Sequence, residues 1–253
     1  MRAINTVLVD TTVYRRACIA HPAAIQRTVF WGSVKVTVPV AGVEAEGPRE
    51  QTERWLQDQV EAIPTVARLA AEGTLRFFTY NEIGFEMFKG RDERSRKGDL
   101  FKDILIEKIP AAIERSKFQQ MDVFSYIEKA ELIKFCKLLL SLDYESIFSH
   151  PEFFSYFTEF EKNNLRSLDR FKSICRKVAS EKHFPDAFHF WTAETNGLDY
   201  FLTADKRFIN ALTAGNRLPL RTIPIAPTDL VTQLGIAELD PMPFVPGKFY
   251  YLV

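Results

Sequence analysis

Residues 185–208 read PDAFHFWTAETNGLDYFLTADKRF, and this stretch decides the fold. Asp186 opens a helix that ends at Gly197, a residue type suited to the left-handed turn after a helix. Asp199 to Thr203 is a short apolar strand, closed by Asp205, and Lys206 to Thr213 is a further helix. Helix, strand and helix in quick succession mark an α/β chain. Towards the C-terminus the pattern continues with a last strand, Leu220 to Ile225, and a last helix, Thr228 to Leu234. Residues 237–253 carry Pro241, Pro243 and Pro246 and are expected to pack on the surface as an irregular tail.

The N-terminal part shows the same alternation. Ile4 to Val9 is a continuous apolar run, as expected of a strand buried on both faces of a parallel sheet, and Asp10 ends it. Val29 to Val40 is rich in β-branched residues and predicts a hairpin or an edge addition. After a break at Gly47-Pro48, helical spacing runs from Gln51 to Glu72, with Pro64 expected to split or kink it. Thr74 to Tyr80 predicts a second strand, followed by a helix through Glu82, Phe85, Glu86 and Phe88 that stops at Gly90. The charged residues 89–99 read as a solvated loop. Leu100 to Lys182 is Phe-rich, looks helical and carries no strand signal, so it reads as a helical block inserted into an α/β domain.

Four acids share one kind of position. Asp10 and Asp205 follow strands, Asp186 opens a helix, and Glu86 lies one turn into the helix after the second strand. In an open parallel sheet, sites form beyond the carboxyl ends of the strands. Carboxylates gathered there repel one another until a cation neutralises them, and an oxygen-liking divalent ion such as Mg²⁺ or Mn²⁺ suits the set. The chemistry this suggests is phosphodiester hydrolysis. Taken singly, each acid also has a structural reading: Asp186 as a helix N-cap, Asp205 as a turn residue, and one of Glu82 and Glu86 as solvent-facing. Asp10 is the hardest to dismiss, because an unpaired charge beside a buried apolar run is costly.

These segments resemble a known family, the PIN domains. The stretch from Asp186 through Thr192-Ala193, Gly197, Tyr200 to Leu202, Thr203, Asp205 and Phe208 resembles the C-terminal half of such a domain. LVDTTVY resembles the first strand, with Asp10 as its first acid and Thr12 at a small polar position. TYNEIGFEMFKG resembles the middle motif, where a Glu precedes a Gly by four positions, which selects Glu86 over Glu82. The resemblance covers residues 4–90 and 183–236. It implies a three-layer α/β/α sandwich with a mostly parallel sheet, formed by about 1–90 and 183–236, interrupted by a helical insertion of about 91–182. It implies a Mg²⁺- or Mn²⁺-dependent nuclease acting on RNA, with DNA as an alternative substrate. Asp10, Glu86, Asp186 and Asp205 would be its catalytic metal ligands, and Thr12 and Thr203 auxiliary residues. The segment Val29–Val40 and the helical block exceed a minimal PIN domain, so the chain looks like a larger relative of the VapC-type toxins.

Composition and charge narrow the function further. The 253 residues carry 33 Lys+Arg against 33 Asp+Glu, so a nucleic acid must be met by a local patch. One such patch is Lys89, Arg91, Arg94, Arg96 and Lys97; another runs from Lys162 to Lys182 and includes Arg170, Arg176 and Lys177. Both read equally as solvated helix or loop faces, and the Phe residues between them read as core rather than as base-stacking platforms. His183 and His189, either side of Asp186, could orient substrate or water, or serve as hydrogen-bonded structural histidines. Cys18, Cys136 and Cys175 form no C-x-x-C pair, which points away from disulfides and structural zinc and towards a reducing cytoplasm. No apolar run has the length of a signal or a membrane span. Nucleotide-binding glycine loops and a nucleophile elbow are absent from the sequence. A phosphatase of the HAD type would want a second Asp where Thr12 stands. A further alternative is a non-catalytic PIN-like scaffold whose helical block binds a protein or RNA partner.

Overall fold

The structure, a computed structural model, describes residues 4–45, 53–88, 98–118, 122–143, 151–178, 180–214 and 219–251. Among them, the strands in chain order are β1 (Asn5–Val9), β2 (Ala20–Trp31), β3 (Val34–Ala45), β4 (Leu75–Thr79), β5 (Ile106–Lys108), β6 (Tyr200–Leu202), β7 (Ile223–Ile225) and β8 (Phe249–Tyr251). Five of them form a parallel sheet in the order β5-β4-β1-β6-β7. β1 is central, pairing Val7 with Phe77 of β4 on one side and with Tyr200 of β6 on the other. Its Val7, Leu8 and Val9 are fully buried, the continuous apolar character that a strand covered on both faces requires. The chain winds from β1 through β4 to β5 on one side, then crosses to β6 and β7 on the other. The strand order therefore reverses between β1 and β6, and that reversal opens a crevice beyond their carboxyl ends.

Helices flank this sheet: α1 (Thr11–Ala17), α2 (Arg54–Ala71), α3 (Asn81–Phe88), α4 (Lys129–Ser141), α5 (Glu159–Arg166), α6 (Leu168–Cys175), α7 (Phe184–Thr195), α8 (Lys206–Thr213) and α9 (Pro227–Gln233). The first turn of α5 is fixed by a reciprocal capping box between Thr158 and Glu161. α7 is buried over most of its length, and Phe188, Phe190, Trp191 and Ala193 expose nothing. Trp191 stacks on Phe171 of α6 at 5.1 Å, and Phe188 meets Phe135 of α4 edge-on at 5.6 Å. These rings join the outer helices and the sheet in one core.

Four expectations change. Residues 100–182 do contain a strand, because β5 pairs with β4 at the sheet edge; its three residues, Ile-Glu-Lys, are too few to show alternation. α2 runs unbroken through Pro64, because its buried face, Ala62, Ile63, Thr65 and Val66, packs on the core and outweighs the one lost N–H bond. The C-terminal tail is not wholly irregular, since β8 pairs with β3 and seats Phe249 over Gly42. The hairpin is longer than Val29–Val40. β2 and β3 pair over twelve residues each around a Gly32-Ser33 turn, with Gly32 at φ +62°, and with β8 they form a separate antiparallel sheet. Among the described residues, no helix is long and apolar enough to cross a membrane.

Candidate functional site

The crevice between β1 and β6 is closed at its floor by backbone. The N–H of Asp10 donates to the carbonyl of Leu202 at 2.9 Å, so the two strand ends are held side by side. Asp10 then turns its buried side chain into the crevice. One carboxylate oxygen accepts from the Thr11 N–H at 2.8 Å and caps α1. The other accepts from the hydroxyls of Thr12 at 2.5 Å and Thr203 at 2.8 Å. Thr12 Oγ1 in turn accepts from the Ala204 N–H at 3.0 Å, which ties the loop after β6 to α1. Both threonines thus orient Asp10.

From Asp10 a hydrogen-bonded chain leads across the site. The Thr11 hydroxyl donates to Glu86 Oε2 at 2.9 Å, Glu86 Oε1 lies 3.2 Å from His189 Nε2, and His189 Nδ1 lies 2.5 Å from the Tyr80 hydroxyl. Burial alone would raise the Glu86 carboxyl, but the His189 imidazolium, hydrogen bonds from His189 and Thr11, and the charge of Lys129 hold it down at about 2. Burial works to discharge His189, and the Glu86 carboxylate overcomes it, so the imidazole is raised above its ordinary value. Desolvation pushes the Tyr80 phenol well above its ordinary value, so it remains a neutral partner for the ring.

The second group forms where α7 and α8 begin. His183, the residue before α7, places Nδ1 3.3 Å from Asp186 Oδ2 and 4.0 Å from Asp205 Oδ2. Asp205 caps α8, accepting from the N–H groups of Arg207 at 2.9 Å and Phe208 at 3.0 Å. The N-cap role expected for Asp186 belongs instead to the His183 position, and Asp186 lies in the first turn. His183, Asp186 and Asp205 each offer one ligand atom, all within 4.8 Å of one another, and could hold a metal ion. Burial raises the Asp186 carboxyl to about 6, and the charge of Asp10, with a smaller push from Glu86, adds to it against the pull of Lys129 and His189. The four acids singled out from sequence therefore lie at one end of the sheet in two groups. Asp186 and Asp205 meet His183; Asp10 and Glu86 meet through Thr11.

Glu82 is not solvent-facing. It is buried in an ion pair with Arg115, whose Nη2 donates to Glu82 Oε2 at 2.7 Å and to the Tyr126 carbonyl at 2.8 Å. Arg170, expected to be available for phosphate, is a structural residue. Its Nε donates to Glu194 Oε2 at 2.7 Å, and Glu194 also accepts from the Arg221 N–H at 3.0 Å. Within the same basic stretch, Lys162 pairs with Glu159 and Lys172 donates to the Leu142 carbonyl, while Arg176 is exposed and Lys177 half-buried. Lys89, Arg91, Arg94, Arg96 and Lys97 lie outside the described residues. Phe135, Phe157 and Phe171 are core residues.

Sequence reasoning missed Thr11 and Tyr80, and it favoured a structural role for His183 and His189 and left them out of the site. The two histidines had a signal: with Asp186 they recur at a spacing of three, which places them along one side of the chain as it enters α7. Thr11 had none, since its bond to Glu86 spans 75 positions. Comparisons with protein-family models, characterised proteins and solved structures find no match.

Proposed function

We propose that this chain is a PIN-like nuclease that hydrolyses phosphodiester bonds in RNA with the help of Mg²⁺ or Mn²⁺. One observation carries the reading: the His183–Asp186–Asp205 group sits beside the Asp10–Thr11–Glu86 chain at the strand-order reversal of a parallel sheet. The donor set, carboxylate oxygens with one imidazole, suits a hard divalent ion better than a soft one. Asp186, Asp205 and His183 would hold the ion, with Asp10 and Glu86 adding negative charge behind it. Bound there, such an ion supplies Lewis-acid stabilisation of charge on a phosphoryl oxygen.

The chain's own residues prepare that chemistry. Thr12 and Thr203 fix the direction of the Asp10 side chain by donating to the same oxygen. Glu86 stays ionised because His189 balances it, and Tyr80 holds the His189 ring in place. Lys129, exposed at the start of α4, adds positive charge that acts on both Glu86 and Asp186. A phosphate approaching the acids would meet that charge, so binding should weaken with added salt.

Asp186 supplies the test. Its carboxyl is raised in the folded state, so the native protein binds this proton more tightly than the unfolded chain. The stability this confers is present at low pH and is lost as pH rises from the ordinary 3.8 to about 6. At neutral pH the cost is roughly 2–3 kcal/mol, since each tenfold change in proton affinity is worth about 1.4 kcal/mol. Asp186→Asn is expected to raise the thermal midpoint in EDTA and to abolish calorimetric binding of Mn²⁺ that the unaltered protein shows. An unaltered protein that neither binds Mn²⁺ nor cleaves a labelled RNA pool would sink the proposal.

A further inference from the structure

The β2–β3 hairpin is an amphipathic ribbon with its apolar face uncovered. The register pairs Ile25 with Val40, Arg27 with Val38, Val29 with Val36 and Trp31 with Val34, so these eight side chains share one face. The opposite face carries Gln26 with Pro39, Thr28 with Thr37 and Phe30 with Lys35. β8 supports only the base of the ribbon, at Gly42 to Glu44, and adds Tyr251 and Phe249 to the apolar face. Beyond that point two strands stand alone, and a bare two-stranded ribbon is marginal in water.

The uncovered area is large. Trp31 is 85% and Tyr251 51% exposed, and at roughly 150–250 Å² per aromatic side chain they alone leave on the order of 250 Å² open. Val29, Val34 and Val36, at 36%, 58% and 40% exposure, bring the face to several hundred Å², about the largest apolar patch a typical monomer shows. Two such faces joined remove on the order of 1,000 Å², about the area at which a specific interface becomes stable.

We infer that this face is covered by the same face of a second copy, packed sheet on sheet about a two-fold axis. Along the two-stranded part of the ribbon the face carries one charge, Arg27, already over the Tyr251 ring at 5.9 Å, and Glu44 lies at its half-buried base, so the exposed part offers a partner of opposite charge little to select. The chain as a whole has zero formal net charge, so no long-range net repulsion opposes the approach of two copies. The inference is independent of the nuclease reading.

Sedimentation of the full chain at concentrations on the order of 10 µM is expected to give a dimer that dissociates on dilution. Trp31→Glu combined with Val36→Glu is expected to give a monomer with unchanged far-UV circular dichroism, both side chains being solvent-exposed in the single copy. Phe30→Ser, on the opposite face, is expected to leave the dimer intact. A wild-type chain that stays monomeric, a double variant that stays dimeric, or a Phe30→Ser chain that dissociates would each overturn the inference.

Discussion

Asp10→Asn is expected to lower the RNA cleavage proposed for this chain by about 10³-fold while leaving the fold intact. Asn keeps the shape of the side chain and one oxygen, so the cap on α1 from the Thr11 N–H persists. What it loses is a negative charge and an acceptor for the paired hydroxyls of Thr12 and Thr203. An amide nitrogen facing two hydroxyls turns at least one of them round, and the tie from Thr12 to the Ala204 N–H is disturbed with it. The negative charge that Asp10 presses on Asp186 also disappears, so the Asp186 carboxyl falls back towards its ordinary value. Cleavage of a labelled RNA pool, measured beside calorimetric Mn²⁺ titration, checks both parts. Undiminished cleavage by an Asp10→Asn preparation that matches wild type in thermal unfolding would remove Asp10 from the chemistry.

Arg115→Ala is expected to cost about 3–5 kcal/mol of stability, the range for leaving one partner of a buried ion pair uncompensated. Arg115 exposes almost nothing, and Glu82 little more. Burial pushes the Glu82 carboxyl up, and the neighbouring guanidinium draws it back only in part, so Glu82 is raised even with its partner present. Without Arg115 it rises further. A raised carboxyl stabilises the fold where it is protonated, so the variant should recover stability as pH falls. Urea denaturation at mildly alkaline and mildly acidic pH measures this, and the deficit should shrink on the acidic side. Arg115→Met with Glu82→Leu should recover most of the loss, since no buried charge remains. Equal stability of Arg115→Ala and wild type at alkaline pH would show that the pair is not buried as described.

The contrast between Glu82 and Glu86 shows how far the sequence could be read. Both lie on α3, one turn apart, and only the resemblance to the middle motif, with its Glu four positions before a Gly, favoured Glu86 for the site. Nothing local shows that Glu82 is buried, because its partner lies 33 positions away on a short 3₁₀ turn. The same limit explains Arg170. A basic residue in a basic stretch reads as available for phosphate, yet Glu194, 24 positions on, takes it. A run of apolar residues such as Val7 to Val9 of β1 announces itself, because burial on both faces needs no particular partner. Short edges do not: β5 and β8 have three residues each, and their pairing is settled by neighbours rather than by their own pattern. Strand-end acids were legible for a related reason, since a charge closing a buried apolar run is costly wherever it lies. Their division into two groups was not, because it depends on the hydroxyls of Thr11, Thr12 and Thr203, which any turn could hold.

The bond between Thr203 and Asp10 spans 193 positions. Asp10 is therefore synthesised well before the strand β6 that completes its surroundings. At roughly 5–20 residues per second, synthesis separates the two by about 10–40 s. Throughout that interval the nascent chain carries Asp10 without Thr203 or Asp205, and for most of it without Asp186. A growing polypeptide thus has no assembled acid centre until the residues of β6 and the start of α8 have been made.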